Sequence, residues 1–107
     1  MAAYAVAHLH EMKVNREIII YLKKIDATLE PFGGHFLVHG KEGEVVEGTF
    51  PGHLIVIEFP DLEKARSWYY SEAYQNIVSM RTDNSKGSVI LVDGVPEDYQ
   101  AADLLSK

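Results

Sequence analysis

A helical stripe held between two short strand-like runs constrains this chain more than any other feature. From Asn15, a residue suited to capping a helix, Ile18, Leu22, Ile25, Leu29 and Phe32 recur at intervals of four and three, which places them on one helical face. Gly33-Gly34 ends the helix, because glycine enters the left-handed conformation without a Cβ penalty. Tyr4 to His10 before it and His35 to Gly40 after it are short apolar runs with strand character. Strand, helix and strand in this order need a sheet on which the helix can bury its stripe.

The same unit then repeats. Lys41-Glu42-Gly43 reads as a turn, and Glu44 to Gly48 as a short hairpin arm before Phe50-Pro51-Gly52. His53 to Phe59 is a third strand, with Leu54-Ile55-Val56-Ile57 apolar on both faces. Asp61 caps a second helix whose inner side carries Leu62, Ala65, Trp68 and Tyr69. Ser71 caps a further helical piece, Glu72 to Arg81, with Tyr74, Ile77, Val78 and Met80 on its buried side. After the turn cluster Asp83 to Gly87, Ser88 to Asp93 forms a fourth strand. The prediction is an α+β domain over residues 1–94, a ferredoxin-like β-α-β-β-α-β sandwich with a four-stranded antiparallel sheet and both helices on one face. Residues 95–107 form a C-terminal tail with a loose helix around Tyr99, Leu104 and Leu105.

Alternation assigns the two sheet faces. With Ala5, Ala7, Leu9, Phe36, Val38, Ile55 and Ile57 toward the helices, the other face holds Val6, Leu37, Val56, Val89 and Leu91, with His8, His10, His39 and Glu58 as its polar exceptions. A contiguous apolar face of that kind is rarely left wet, and a second copy of the same sheet is the simplest cover. A homodimer is therefore expected.

Composition removes several functions. The 107 residues contain no cysteine, so disulfides, thiolate nucleophiles and thiolate metal centres are absent. The net charge of −6 is spread along the chain without a basic stripe, which argues against nucleic-acid binding, and no apolar run reaches the ~20 residues of a membrane span. The apolar start, Met1 to Ala7, lacks a basic flank and passes into strand alternation, so a cytoplasmic location is expected rather than a secretory leader. Neither a nucleophile elbow nor a phosphate-binding glycine loop occurs.

Two constellations remain. His8 and His10, two apart on a strand and about 7 Å from one another, could ligate a metal with Glu58 or Glu11, although histidines at a sheet rim more often meet solvent or a carboxylate, and no metal is assigned. His35 and His39 show a metal spacing only for a helix; on a strand they lie about 13 Å apart. The second constellation gathers Trp68, Tyr69, Tyr74 and Arg81 between sheet and second helix, with His39 and Glu58 from the strands. A fixed guanidinium beside aromatic walls suits a small organic acid, since Arg grips a carboxylate through two parallel hydrogen bonds. The structural alternative is that the aromatics are core and Arg81 pairs with a nearby acid.

The segments Phe32-Gly33-Gly34-His35-Phe36-Leu37-Val38-His39-Gly40, Glu47-Gly48, Ile57-Glu58-Phe59-Pro60 and Ala65-Arg66-Ser67-Trp68-Tyr69-Tyr70-Ser71-Glu72-Ala73-Tyr74, followed by Arg81, resemble the domain-of-unknown-function 1330 family. That family belongs to the dimeric α/β-barrel superfamily, and the likeness covers about residues 4 to 94. The resemblance implies the ferredoxin-like fold and a face-to-face dimer, and it brings no established catalytic residues. Where this chain has His39 the family commonly has Arg, so a second cationic anchor would here depend on pH. The superfamily includes cofactor-independent monooxygenases, lactone isomerases, haem-degrading proteins and ligand-binding regulatory domains, which leaves the chemistry open. The leading expectation is one small-molecule pocket per subunit, with Arg81 anchoring an anion, Trp68, Tyr69 and Tyr74 lining it, and His39 and Glu58 available for proton transfer or for oxygenation of an activated carbon acid without a cofactor. A non-catalytic binding or interaction dimer is the alternative. Haem held by His8, His10, His39 or His53 ranks below both.

Overall fold

The computed structural model describes residues 1–106. Strand β1 (Ala3–Met12) leads into helix α1 (Arg16–Leu29), a single 3-10 turn at Glu30–Phe32, and strand β2 (His35–Val38). Strand β3 (His53–Phe59) is followed by three short helices, α2 (Leu62–Tyr69), α3 (Glu72–Gln75) and α4 (Val78–Thr82), and then by strand β4 (Ser85–Asp93). The sheet order is β2-β3-β1-β4 with every pair antiparallel, the ferredoxin-like arrangement of an α+β sandwich.

The caps fall where side-chain chemistry puts them. The Asn15 side chain accepts from the Ile18 amide at 3.1 Å, Asp61 from Lys64 at 2.8 Å and Ser71 from Tyr74 at 3.2 Å, each satisfying an amide that the first helical turn leaves free. Gly33, at φ 72°, closes the 3-10 turn. The expected helix from Glu72 to Arg81 divides into α3 and α4, with Asn76 and Ile77 between them.

The buried face of α1 is rotated from the expected stripe. Ile18, Tyr21, Ile25, Thr28 and Leu29 are buried, while Leu22 is largely exposed. Both Tyr21 and Leu22 lie within a turn of Ile18, and hydropathy favours Leu22. The polar tips of Tyr21 and Thr28 find partners inside the protein, and this lets their bulk join the core.

Strand register revises the two faces as well. Val89 and Leu91 pair with Ala7 and Ala5, so they face the helices, and the outward positions of β4 are Ser88, Ile90 and Val92. In β2 the register shifts: Phe36 pairs with Ile57, but Val38 pairs with Val56, an outer-face residue. One extra residue in a strand reverses the side-chain alternation beyond it. Val38 thereby leaves the inner face, and His39 turns toward it, where its ring stacks on Phe36 with centroids 4.6 Å apart. The expected hairpin arm at Glu44 to Gly48 does not form; residues 39–52 are an exposed loop. Phe50 ties that loop down by stacking on His8 at 4.0 Å, while the His8 Nε2 lies 2.7 Å from the Pro51 carbonyl.

Core residues sit between the sheet and the helices, with Phe59, Trp68, Tyr74, Ile18 and Leu29 the largest that are fully enclosed. The opposite sheet face has no helix on it; Leu37, Leu54, Ile90 and Val92 are exposed there, Ile90 at 55%. The tail carries a 3-10 helix, Ala101–Ser106, with Leu104 and Leu105 exposed, and Lys107 of the expected tail lies outside the described residues. No described helix is long and apolar enough to cross a membrane.

Candidate functional site

Alanines on the central strand create the site. Ala5 and Ala7 occupy inner positions of β1 where larger residues would reach α1, and the space they leave is a cavity of about 250 Å³. Ile55 and Ile57 of β3 and Val89 of β4 complete the floor, while Ile18, Tyr21 and Ile25 of α1 form the roof. Trp68, Tyr74 and Arg81 come from α2, α3 and α4, and His39 and Gly40 from the end of β2. Arg81 is the one permanently charged residue in this lining.

Each wall residue is held by identifiable bonds. The Trp68 indole donates to Thr28 Oγ1 at 3.0 Å, and that hydroxyl donates onward to the Ile25 carbonyl at 2.6 Å. Trp68 is 2% exposed and packs against Tyr74 with ring centroids 4.2 Å apart. The Tyr74 and Tyr21 hydroxyls are 2.6 Å apart. Arg81 is fixed through its backbone: its carbonyl accepts from the Ser85 hydroxyl at 2.7 Å and from the Asn84 amide at 3.1 Å. Asn84 also bonds Asn15 at 2.6 Å and Glu17 at 3.0 Å, tying α4 to the start of α1.

The electrostatics centre on Arg81. Its side chain is buried, at 8% exposure, and among the described residues it makes no ion pair. Of the expected structural alternative, the aromatics do join the core, Trp68 and Tyr74 being buried in it, but among the described residues no acid pairs with Arg81. Burial is the largest single influence on the guanidinium and acts to lower its pKa, while Tyr74 and Tyr21 act to raise it, and the net direction is up. Burial, with Tyr74 beside it, raises the Tyr21 phenol far above its ordinary 10.0, so it stays protonated near neutrality.

The structure brings together four of the six residues expected at the site: His39, Trp68, Tyr74 and Arg81. Tyr69 stands behind them, half-buried, with its ring 6.0 Å from Trp68 and 5.5 Å from Tyr74. Glu58 lies on the outer face of the sheet, where strand alternation places it, and does not line this cavity. It pairs across strands with His35, Nε2 to Oε1 at 3.1 Å, because it lies one residue from the inward-facing Ile57. A proton-transfer role for Glu58 in this cavity is thus corrected. Of the histidines considered for haem, only His39 lines the cavity. His8 and His10 have ring centroids 4.3 Å apart, but among the described residues no group of three potential metal ligands gathers around them or elsewhere. Tyr21 and Thr28 escaped the sequence reading. Their signal was present, since both fall within a turn of the buried Ile18 and Ile25, but their polarity hid it.

The family described as Domain of unknown function (DUF1330) matches residues 2–95. No curated protein matches the chain. A crystal structure of the methylated RPA0582 protein is similar, with a TM-score of 0.68 and 12% identity over 92% of this chain and 84% of that one. Another structure of RPA0582, a protein of unknown function from Rhodopseudomonas palustris, gives 0.64 and 12% identity over 89% and 83%. The crystal structure of an antibiotic biosynthesis monooxygenase gives 0.53 and 22% identity over 90% of this chain and all of that one. At these identities the likeness shows the fold.

Proposed function

This chain belongs to the Domain of unknown function (DUF1330) family, and on that premise we propose that it works as a homodimer binding a small organic acid, one per subunit, in the cavity between sheet and helices. The observation that carries the proposal is the buried Arg81 guanidinium, which faces an otherwise apolar cavity with no carboxylate partner among the described residues. A buried cation without a counter-ion costs several kcal/mol of desolvation, and a ligand anion held through two parallel hydrogen bonds recovers much of it. Trp68 and Tyr74 supply flat walls for the ligand's body, and Tyr69 supports them. The exposed apolar outer face, around Leu54, Ile90 and Val92, is the surface on which the second subunit would pack.

Differential scanning fluorimetry with small carboxylates tests the binding reading. Ligand at a hundred times its Kd stabilises a fold by ~2.7 kcal/mol, so the wild type should melt several degrees higher with a good ligand. Arg81→Met, which keeps an unbranched apolar stem and removes the charge, should fold and lose that response. A response that survives the substitution would refute the role of Arg81.

A catalytic version adds His39, which the β2 bulge directs to the cavity. There it would take a proton from an activated carbon of the bound acid, with either return of the proton to carbon or addition of the carbanion to dioxygen, which is reduced to a hydroperoxide on that carbon as His39 gives the proton back to its outer oxygen, a class of chemistry in keeping with the fold shared with a monooxygenase. Solvent deuterium should then exchange into the bound acid with wild type and not with His39→Ala. Absence of exchange with wild type supports the non-catalytic binding dimer.

A further inference from the structure

We propose that Tyr21 is a second anchor for the bound anion, and that the ligand is a monocarboxylate whose remaining body is apolar, which, having no group to activate a carbon acid, favours the binding dimer over the catalytic version. This deepens the reading of Arg81 as an anchor and rests on it. The first argument is an accounting of hydrogens. The Tyr21 and Tyr74 hydroxyls, 2.6 Å apart, share one hydrogen bond, and whichever donates leaves the other hydroxyl's proton without an acceptor among the described residues. Both rings are buried, at 6% and 2% exposure. Arg81 beside them offers only donors; the Tyr21 and Tyr74 oxygens are the acceptors its side chain meets, and among the described residues no carboxylate pairs with it. Donors therefore outnumber acceptors at one end of the cavity. Buried donors are nearly always satisfied, and a carboxylate, with two oxygens and about four lone-pair sites, answers a guanidinium and a phenol at once. Because the Tyr21 phenol is held protonated by burial, it remains a donor over the whole range in which a carboxylic acid is ionised.

The second argument concerns the rest of the lining. The Trp68 indole N–H is already spent on Thr28, and the Thr28 hydroxyl on the Ile25 carbonyl. Apart from Tyr21 the floor and roof are alkyl side chains, and the one further polar side chain without a bond already described is His39, in the exposed loop at the end of β2. A second polar group in the enclosed part of the cavity would be buried against hydrocarbon without a partner. The size agrees with a compact body: an apolar cavity of ~150 Å³ holds benzene, so about 250 Å³ holds a ring or a short chain together with its carboxylate.

The test is isothermal titration of the full chain with hexanoate, benzoate and phenylacetate, alongside hexanamide and adipate, using wild type, Tyr21→Phe and Tyr74→Phe. At least one monocarboxylate should bind wild type, with hexanamide and adipate at least tenfold weaker than hexanoate. Tyr21→Phe should weaken the monocarboxylate by about tenfold to a hundredfold, the range for a hydrogen bond to a charged group. Equal affinity of wild type and Tyr21→Phe, or adipate binding as tightly as hexanoate, overturns this inference while leaving Arg81 as the anchor. Failure of every carboxylate to bind wild type overturns the organic-acid reading itself. If Tyr21→Phe does not fold, the hexanoate-to-adipate ratio on wild type decides the ligand class, and the Tyr21 ring signals in NMR decide the anchor: they should shift when hexanoate binds wild type or Tyr74→Phe, and binding that leaves them unmoved overturns it.

Discussion

Arg81→Met should make the ligand-free protein more stable, and the sign of that change separates a binding residue from a structural one. Arg81 is 8% exposed and has no ion-pair partner among the described residues. At neutral pH its neighbour Tyr21 is a dipole rather than a charge, since burial pushes that phenol upward from 10.0. Replacing buried charged groups by hydrophobic residues of similar volume often stabilises by ~1–4 kcal/mol, and the loss of a neutral neighbour for the two hydroxyls subtracts about 1 kcal/mol. A net gain of up to about 3 kcal/mol follows, with a rise in melting temperature of roughly 4–8 °C for each kcal/mol gained in a domain of this size. Urea unfolding at pH 7, followed by far-UV circular dichroism on exhaustively dialysed protein, measures it. A variant no more stable than wild type would refute the reasoning, because the guanidinium would then be held by interactions within the fold. Sites retained for function at a cost to stability show the expected pattern.

Thr28→Val removes the acceptor of the Trp68 indole, leaving a buried N–H unsatisfied, and should cost about 1–3 kcal/mol in urea unfolding; a cost under ~0.5 kcal/mol means the indole finds another partner. Alkaline pH should destabilise through Tyr21. Its folded pKa lies above the unfolded 10.0, so its contribution is complete below pH 10 and is lost at about 1.4 kcal/mol per pH unit as pH rises further, a slope that Tyr21→Phe should lessen when unfolding is followed from pH 9 to 11. Ile90→Asp places a charge at the centre of the outer sheet face, opposite Val6, and should convert a dimer to a folded monomer by size-exclusion chromatography with light scattering; a wild type that elutes as a monomer disposes of the dimer.

The sequence alone determined whatever depends on neighbours along the chain. The caps at Asn15, Asp61 and Ser71, the break at Gly33 and the alternation of strands and helices follow from local hydrogen bonding and periodicity, and they suffice for the order of elements. Trp68, Tyr74 and Arg81 were recognisable because their side-chain chemistry exceeds what a plain core needs. Tertiary structure decided the rest. A single shift of register in β2 turned His39 inward, since strand side chains change sides with every residue and only pairing fixes the count, while Glu58 keeps the outer position that alternation along β3 already gives it. Tyr21 entered the core in place of Leu22 because Tyr74, 53 residues away, meets its hydroxyl. The cavity itself exists only where Ala5 and Ala7 come to lie beneath α1, a juxtaposition that no local pattern encodes.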